Sequence, residues 1–402
     1  MADNIVVTAT GICSALGNGR AEHLAALRAA RHGLRHPVLL KTVHAQEVMA
    51  GEVDADNDTL AAALALPGGN NGYTRTTLLA MMAIRELRDA AGAAVWEDEG
   101  LAFVNANTVG GMCAVEDMYA EFLSEARSGD FIRYINTLDC AESTENIARQ
   151  FPVRPLTATI STACSSSANA LILGARLIRL GRARRAVCGG CDALSRFTVN
   201  GFSTLKNMDT GPCRPFDQHR NGLNLGEGAG YLLLERESDA RARGAEILAV
   251  FSGYCNSNDA YHPTAPSPDG AGALRTMKGA LEKAGLAAED IGYINAHGTA
   301  TLSNDIAEGK AIEDLFGSTA LYSSTKPYTG HTLAAAGAIE AIFSIWALQE
   351  QTIFPNLNFQ DRMEELQTSP VTRLLEHIPL QHVMSNSFGF GGNNVSLIFS
   401  KS

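Results

Sequence analysis

Cys164 is the residue with the clearest chemical address in this chain. It stands where a β-branched run, Leu156–Ile160, turns sharply into an apolar stretch that reaches Ile178. The residues after it, Ser165, Ser166, Ser167 and Ala168, are all small. A bulky reactant could therefore approach the unpaired N–H groups of a helix start. A thiol there feels the positive end of the peptide dipoles, which predicts a thiolate, and the same N–H groups can hold an oxyanion. Two imidazoles share the pattern: His331 sits at the strand–turn–helix junction of Ser323–Glu340, and His297 closes the run Ile291–Ala296. A thiolate with two imidazoles suits thioester chemistry, in which the cysteine takes an acyl group and the histidines stabilise charge or move protons.

The elements that must position these groups follow one plan twice. The first pass reads as a strand from Ile5 to Thr8 ending at Gly11, a helix from Thr74 to Ala91 and a strand from Leu101 to Asn107. A helical cap follows over about Met112 to Val153, then the nucleophile strand and helix, a strand from Ala186 to Asp192, and a strand from Tyr231 to Glu235. The second pass begins at Ala249–Gly253, continues with a helix from Ala271 to Gly285, and repeats Ala102–Thr108 almost residue for residue in Gly292–Gly298. His331 then falls where Cys164 falls in the first pass. Such a duplication predicts an α/β protein of two pseudo-symmetric halves, 1–248 and 249–402, with the reactive groups between them. The small residues of Ala163–Ala175 and Leu333–Ala341 would let two helices pack closely between sheets.

Composition narrows the classes. The chain has 402 residues, 46% of them hydrophobic, enough for a large core. A formal net charge of -11 without a long charge run argues against nucleic acid as a partner, and an acidic partner would need a local basic patch. The eight cysteines support neither a disulfide scaffold nor structural zinc, and no metal site is expected. A reduced, cytoplasmic setting fits, with no signal peptide and no membrane span read from the sequence.

Five ordered motifs then carry a resemblance that spans nearly the whole chain. They are Thr162-Ala-Cys164-Ser-Ser-Ser, Pro215-Phe-Asp217 with Gly226–Gly230, His297-Gly-Thr299-Ala-Thr301 with Asp305 and Glu308, Lys326 with Thr329-Gly-His331, and Asn386–Asn394. The chain resembles an elongating β-ketoacyl-[acyl-carrier-protein] synthase of the thiolase-like superfamily, whose fold is a layered, duplicated αβαβα. The resemblance implies Cys164 as the acylated nucleophile, and His297 and His331 as the decarboxylation pair. It further implies Lys326 and Glu340 as their orienters, and Phe390 as a gate whose N–H completes the oxyanion hole. Thr299 and Thr301 would contact the pantetheine arm, Phe202 and Phe388 would line the substrate site, and Val109 would close the inner end of the acyl tunnel. Arg75 and Lys206 would be the cations on which an acidic acyl carrier protein docks. No bound cofactor is implied, since the substrates ride on the carrier's phosphopantetheine. A homodimer, or a heterodimer with a homologous chain, is expected.

Departures from the family pattern, Arg220-Asn221-Gly222-Leu223 and Gly391-Gly392-Asn393-Asn394, remove no catalytic group. A short Gly201–Cys213 segment suggests a specialised, polyene- or polyketide-like pathway. Two other functions share parts of the pattern. A chain-length-determining partner subunit should lack the nucleophile, which is present. A thiolase-type acyltransferase should carry a second cysteine near the C-terminal glycine loop, and Ser385–Asn394 has none.

Overall fold

The computed structural model of the chain describes residues 3–67, 72–123, 134–151 and 156–402. One mixed sheet of eleven strands carries the fold: two matching sets of five, joined edge to edge, and the two-residue strand Gly17–Asn18 paired beside the first strand. In chain order the strands of the first half are β1 (Ile5–Ser14), β2 (Leu101–Ala106), β3 (Leu156–Ile160), β4 (Arg185–Asp192) and β5 (Gly228–Arg236). Those of the second are β6 (Ala249–Asn258), β7 (Ile291–Asn295), β8 (Tyr322–Ser323), β9 (His382–Phe388) and β10 (Asn393–Ser400). The spatial order β3-β2-β4-β5-β1-β6-β10-β9-β7-β8 is a palindrome of the duplication, since each strand has its counterpart five labels on. The first three strands from either outer edge are parallel and the inner pairings antiparallel in both halves. The halves meet where Val6 and Val7 pair antiparallel with Val250 and Ala249.

Four helices complete five layers: α1 (Arg75–Ala91), α2 (Ser166–Arg179), α3 (Ala271–Ala284) and α4 (Ala336–Glu350). The strand period of two explains how the layers hold together. Along β2, Leu101 and Phe103 face the outer core with α1, while Ala102, Val104 and Ala106 face the central core with α2 and α4. α2 and α4 approach closely because small residues meet: a Cβ on Gly337 would lie 2.8 Å from the Ala168 side chain and 2.9 Å from its main-chain nitrogen. The run Leu333–Glu350 is apolar and long enough to cross a membrane, but 89% of it is buried inside this fold, which makes it the core helix of the second half.

Several sequence-based expectations change in detail. β1 does not end at Gly11, since its pairing with β5 continues to Ser14 opposite Gly228. The cap holds helices over Met112–Phe122 and Cys140–Gln150; residues 124–133 and 152–153 of it lie outside the described residues. Cys188 and Cys191 in β4 do stand at CxxC spacing, but positions three apart on a strand face opposite ways. One lies in the central core and the other in the outer core, so they cannot share a metal.

Candidate active site

The strand β3 delivers Cys164 through a strained turn. Ala163 adopts φ 52, a left-handed conformation costly for a residue with a Cβ. The turn is held by Ser166, whose N–H and Oγ both donate to the Ala163 carbonyl and whose Oγ accepts from the Thr162 N–H at 2.8 Å. Ser165, Ser166, Ser167 and Ala168 are buried, so α2 starts inside the protein between the two sets of strands. Cys164 itself is 6% exposed. The expected thiolate is overturned by this burial, which pushes the thiol up to about 11. The Lys326 ammonium and an N–H bond from Phe390 pull it down, and the Glu340 and Asp192 carboxylates push it further up. At neutral pH the resting group is a thiol.

The second half supplies the imidazoles. Counting the 3-10 turn Leu333–Ala335 that leads into α4, His331 precedes its helical run by two residues, as Cys164 precedes α2. The Leu333 N–H lies 3.3 Å from His331 Nδ1, which therefore accepts. His297 lies two residues beyond β7, at the start of the loop to Thr301, and Lys326 Nζ lies 3.2 Å from its Nδ1. An ammonium can only donate, so this Nδ1 also accepts. Each neutral ring then carries its proton on Nε2. Burial first, and then the Lys326 charge, hold both imidazoles well below the usual histidine range. The rings stand edge to face with centroids 5.4 Å apart.

A buried polar frame sets these positions. Lys326 Nζ also donates to the His297 carbonyl and to Glu340 Oε1, each at 2.5 Å. Burial raises the Glu340 carboxyl to about 7 against the pull of that ammonium. Glu308 accepts the N–H groups of His297 and Gly298 at 2.8 Å each, fixing the peptide that carries the imidazole. Asp305 does the same for Phe216 and Ala300 at 2.7 and 3.2 Å.

Cys164, His297 and His331 line one cleft with Phe202, Thr299, Thr301, Phe388 and Phe390. Thr299 and Thr301 touch through their hydroxyls at 2.8 Å, and the Phe388 ring lies 5.8 Å from that of His297. Phe390 stacks on Phe202 with ring centroids 5.5 Å apart, and both rings line the cleft. Phe390 stands in a 3-10 turn beside Gly391, which takes φ 80. Val109 does not line the cleft. It lies one layer behind, in an apolar cluster with Leu223, Leu333 and Phe202.

The two docking candidates part company. Lys206 is exposed, next to the cleft residue Asn207. Arg75 is not a surface cation: its guanidinium is committed to the buried carboxylate of Glu227, at distances down to 2.5 Å, and to the carbonyls of Val53 and Ala55. Sequence reasoning gave no role to three residues around the site. Glu227 is one. Asn393 is another; its Oδ1 accepts from Ser165, Asn169 and Asn256, fastening the turn after Phe390 to the start of α2 and to β6. The third is Asp192, buried at the end of β4, whose carboxyl burial raises to about 6. Its position closing an apolar strand was the available signal.

Comparison with known proteins decides the family. Residues 2–240 match the N-terminal domain of beta-ketoacyl synthase and residues 248–360 its C-terminal domain. The chain belongs to the β-ketoacyl synthase family. It is 44% identical over 254 residues to a 3-oxoacyl-[acyl-carrier-protein] synthase 2 of Rhizobium meliloti (strain 1021), in an alignment covering 60% of each protein. The chain thus spans about 60% of the length of that relative. Whole-chain similarity comes from solved structures. The ishigamide ketosynthase/chain length factor superposes with TM-score 0.92 at 31% identity, covering all of both chains. A ketosynthase (ApeO) in complex with its chain length factor (ApeC), from Xenorhabdus doucetiae, superposes with TM-score 0.86 at 31% identity over 100% of this chain and 98% of that one. The layered α/β architecture of this family member is that of these ketosynthase structures.

Proposed function

We propose that this family member is an elongating β-ketoacyl-[acyl-carrier-protein] synthase, which joins an acyl group held on Cys164 to a malonyl thioester and releases carbon dioxide. The observation that carries this reading is the placement of two buried imidazoles, edge to face with centroids 5.4 Å apart and each with its Nδ1 beside a donor, in one cleft with a buried thiol. In the first half-reaction the Cys164 sulfur attacks the acyl thioester, and the N–H groups of Cys164 and Phe390 hold the oxyanion. The pantetheine thiolate leaves and the Cys164 proton ends on it. In the second, the malonyl bond to its carboxylate breaks, carbon dioxide departs, and the electron pair becomes an enolate whose oxygen is held by His297 and His331. The enolate carbon then attacks the acyl carbonyl, Cys164 departs as thiolate and takes up one proton. Neutral imidazoles suit this work because they donate hydrogen bonds without quenching the enolate by full proton transfer.

No step requires a cofactor, and the acyl carrier protein is the partner this chemistry calls for. The likeness to a ketosynthase/chain length factor pair supports association with a homologous chain and work on specialised as well as ordinary fatty chains. Lys206 is the retained docking candidate, and Thr299 and Thr301 the pantetheine contacts. The test is direct. Enzyme incubated with an acyl carrier thioester should gain the acyl mass on Cys164, and added malonyl carrier should yield carbon dioxide and a ketoacyl product. Cys164→Ala, which fits the small-sided turn, should show neither adduct nor product while remaining folded. An adduct on the variant, or no adduct on the wild type, would defeat the reading.

A further inference from the structure

Asp192 plays no part in the reaction above, yet it stands where the two halves of the site meet. Its carboxylate is completely buried and accepts four hydrogen bonds. Oδ1 takes the N–H groups of Thr108 and Val109 at 2.9 and 3.1 Å; Oδ2 takes the Thr108 hydroxyl at 2.6 Å and the Ala334 N–H at 2.8 Å. Three of the donors belong to the turn after β2, which sets Val109 in the apolar cluster behind Phe202. The fourth belongs to the turn Leu333–Ala335, whose first N–H fixes the Nδ1 of His331. All four partners are donors, so the position demands a group that only accepts, and an amide would set its own N–H against theirs.

We propose that Asp192 is a positioning residue that locks the Val109 turn, one layer behind the cleft, to the turn carrying His331, so that the fit of the primer and the decarboxylation of the extender are set by one anion. The inference rests on the elongating-synthase reading. A primer that presses through Phe202 on the Val109 turn moves the donors on Oδ1, and Oδ2 passes the shift to Ala334 and the turn of His331. Close packing makes such a shift pass on instead of dissipating.

Two variants test it on the full-length enzyme, with two readouts: acylation of Cys164 over a series of primer lengths, by mass, and carbon dioxide release from malonyl carrier protein. Asp192→Asn should lower carbon dioxide release about tenfold and shift the primer-length optimum, while acylation by a two-carbon primer stays within about threefold. Thr108→Val removes only the hydroxyl donor on the pocket side; it should shift the primer-length profile and leave carbon dioxide release within about twofold. Equal losses in both half-reactions of Asp192→Asn would mean a merely structural carboxylate and overturn the proposal, as would wild-type decarboxylation in that variant. If Asp192→Asn does not fold, a Thr108→Val profile identical to wild type overturns it. Failure of the wild type to take an acyl group would instead defeat the functional reading, so the two failures are distinct.

Discussion

The turn after β3 and the turn after β8 hold matching places in the two halves, and burial acts on their reactive groups in opposite directions. It raises the Cys164 thiol and lowers the His331 imidazole, leaving both neutral. Lys326, buried in the second half, does not follow that opposition: its charge lowers both groups. The same ammonium therefore eases ionisation of the proposed nucleophile, Cys164, and holds both imidazoles toward the neutral form. Duplication of the fold placed the groups, and one cation shared across the interface tunes them. A thiol that leans on a cation of the other half cannot be tuned by its own helix start alone.

Removing that cation should break the comparison most severely. Lys326→Met is expected to lower condensation on the order of a hundredfold, because both the nucleophile and the enolate donors lose their setting. With the positive charge gone, the pH at which Cys164 is alkylated should move above its starting value of about 11, and the acid limb of decarboxylation should move up as the imidazoles protonate more readily. Glu340, already raised to about 7 from 4.5, should rise further and take a proton. Folded protein then binds more protons than unfolded protein above pH 4.5, so the variant's melting temperature should fall as pH rises through and beyond the range 4.5 to 7. Unchanged alkylation and decarboxylation profiles would show that Lys326 does not reach across the halves.

A smaller effect is expected at the back of the pocket. Val109→Phe enlarges the cluster behind Phe202, and each substrate methylene denied burial there forfeits about 0.8 kcal/mol. The longest accepted primer should shorten while acylation by a two-carbon primer is nearly unchanged; parallel losses at every length would indicate misfolding. The smallest effect belongs to the surface. Lys206→Glu should raise the Michaelis constant for carrier-bound substrate by no more than severalfold, since an exposed pair is worth ~0–1 kcal/mol, and should spare a free pantetheine substrate. Equal effects on the two substrates would remove Lys206 from the docking surface.

What could be read from the chain follows from the range of the interactions. Cys164, His297 and His331 are legible because each closes a strand of a repeated plan, and the repeat aligns His297 with Asn107 of the first half. The state of the thiol is not legible, because a helix start looks the same whether exposed or sealed inside the fold. Arg75 reads as a free surface charge because its partner, Glu227, lies 152 residues away. Asp192 reads as the end of an apolar strand because its donors are 83 to 142 residues distant. The strands expected to stop at Gly11 and Gly253 run on to Ser14 and Asn258, because pairing with a neighbouring strand outweighs local propensity.

The division of labour between the halves is tested most directly by one preparation of His331→Ala given an acyl carrier thioester and then malonyl carrier protein. Intact mass should show the acyl group on Cys164 at close to the wild-type extent, while carbon dioxide release falls by roughly a hundredfold or more, as for loss of an oxyanion donor. Loss of the adduct together with carbon dioxide release, or release at the wild-type rate, would contradict the account.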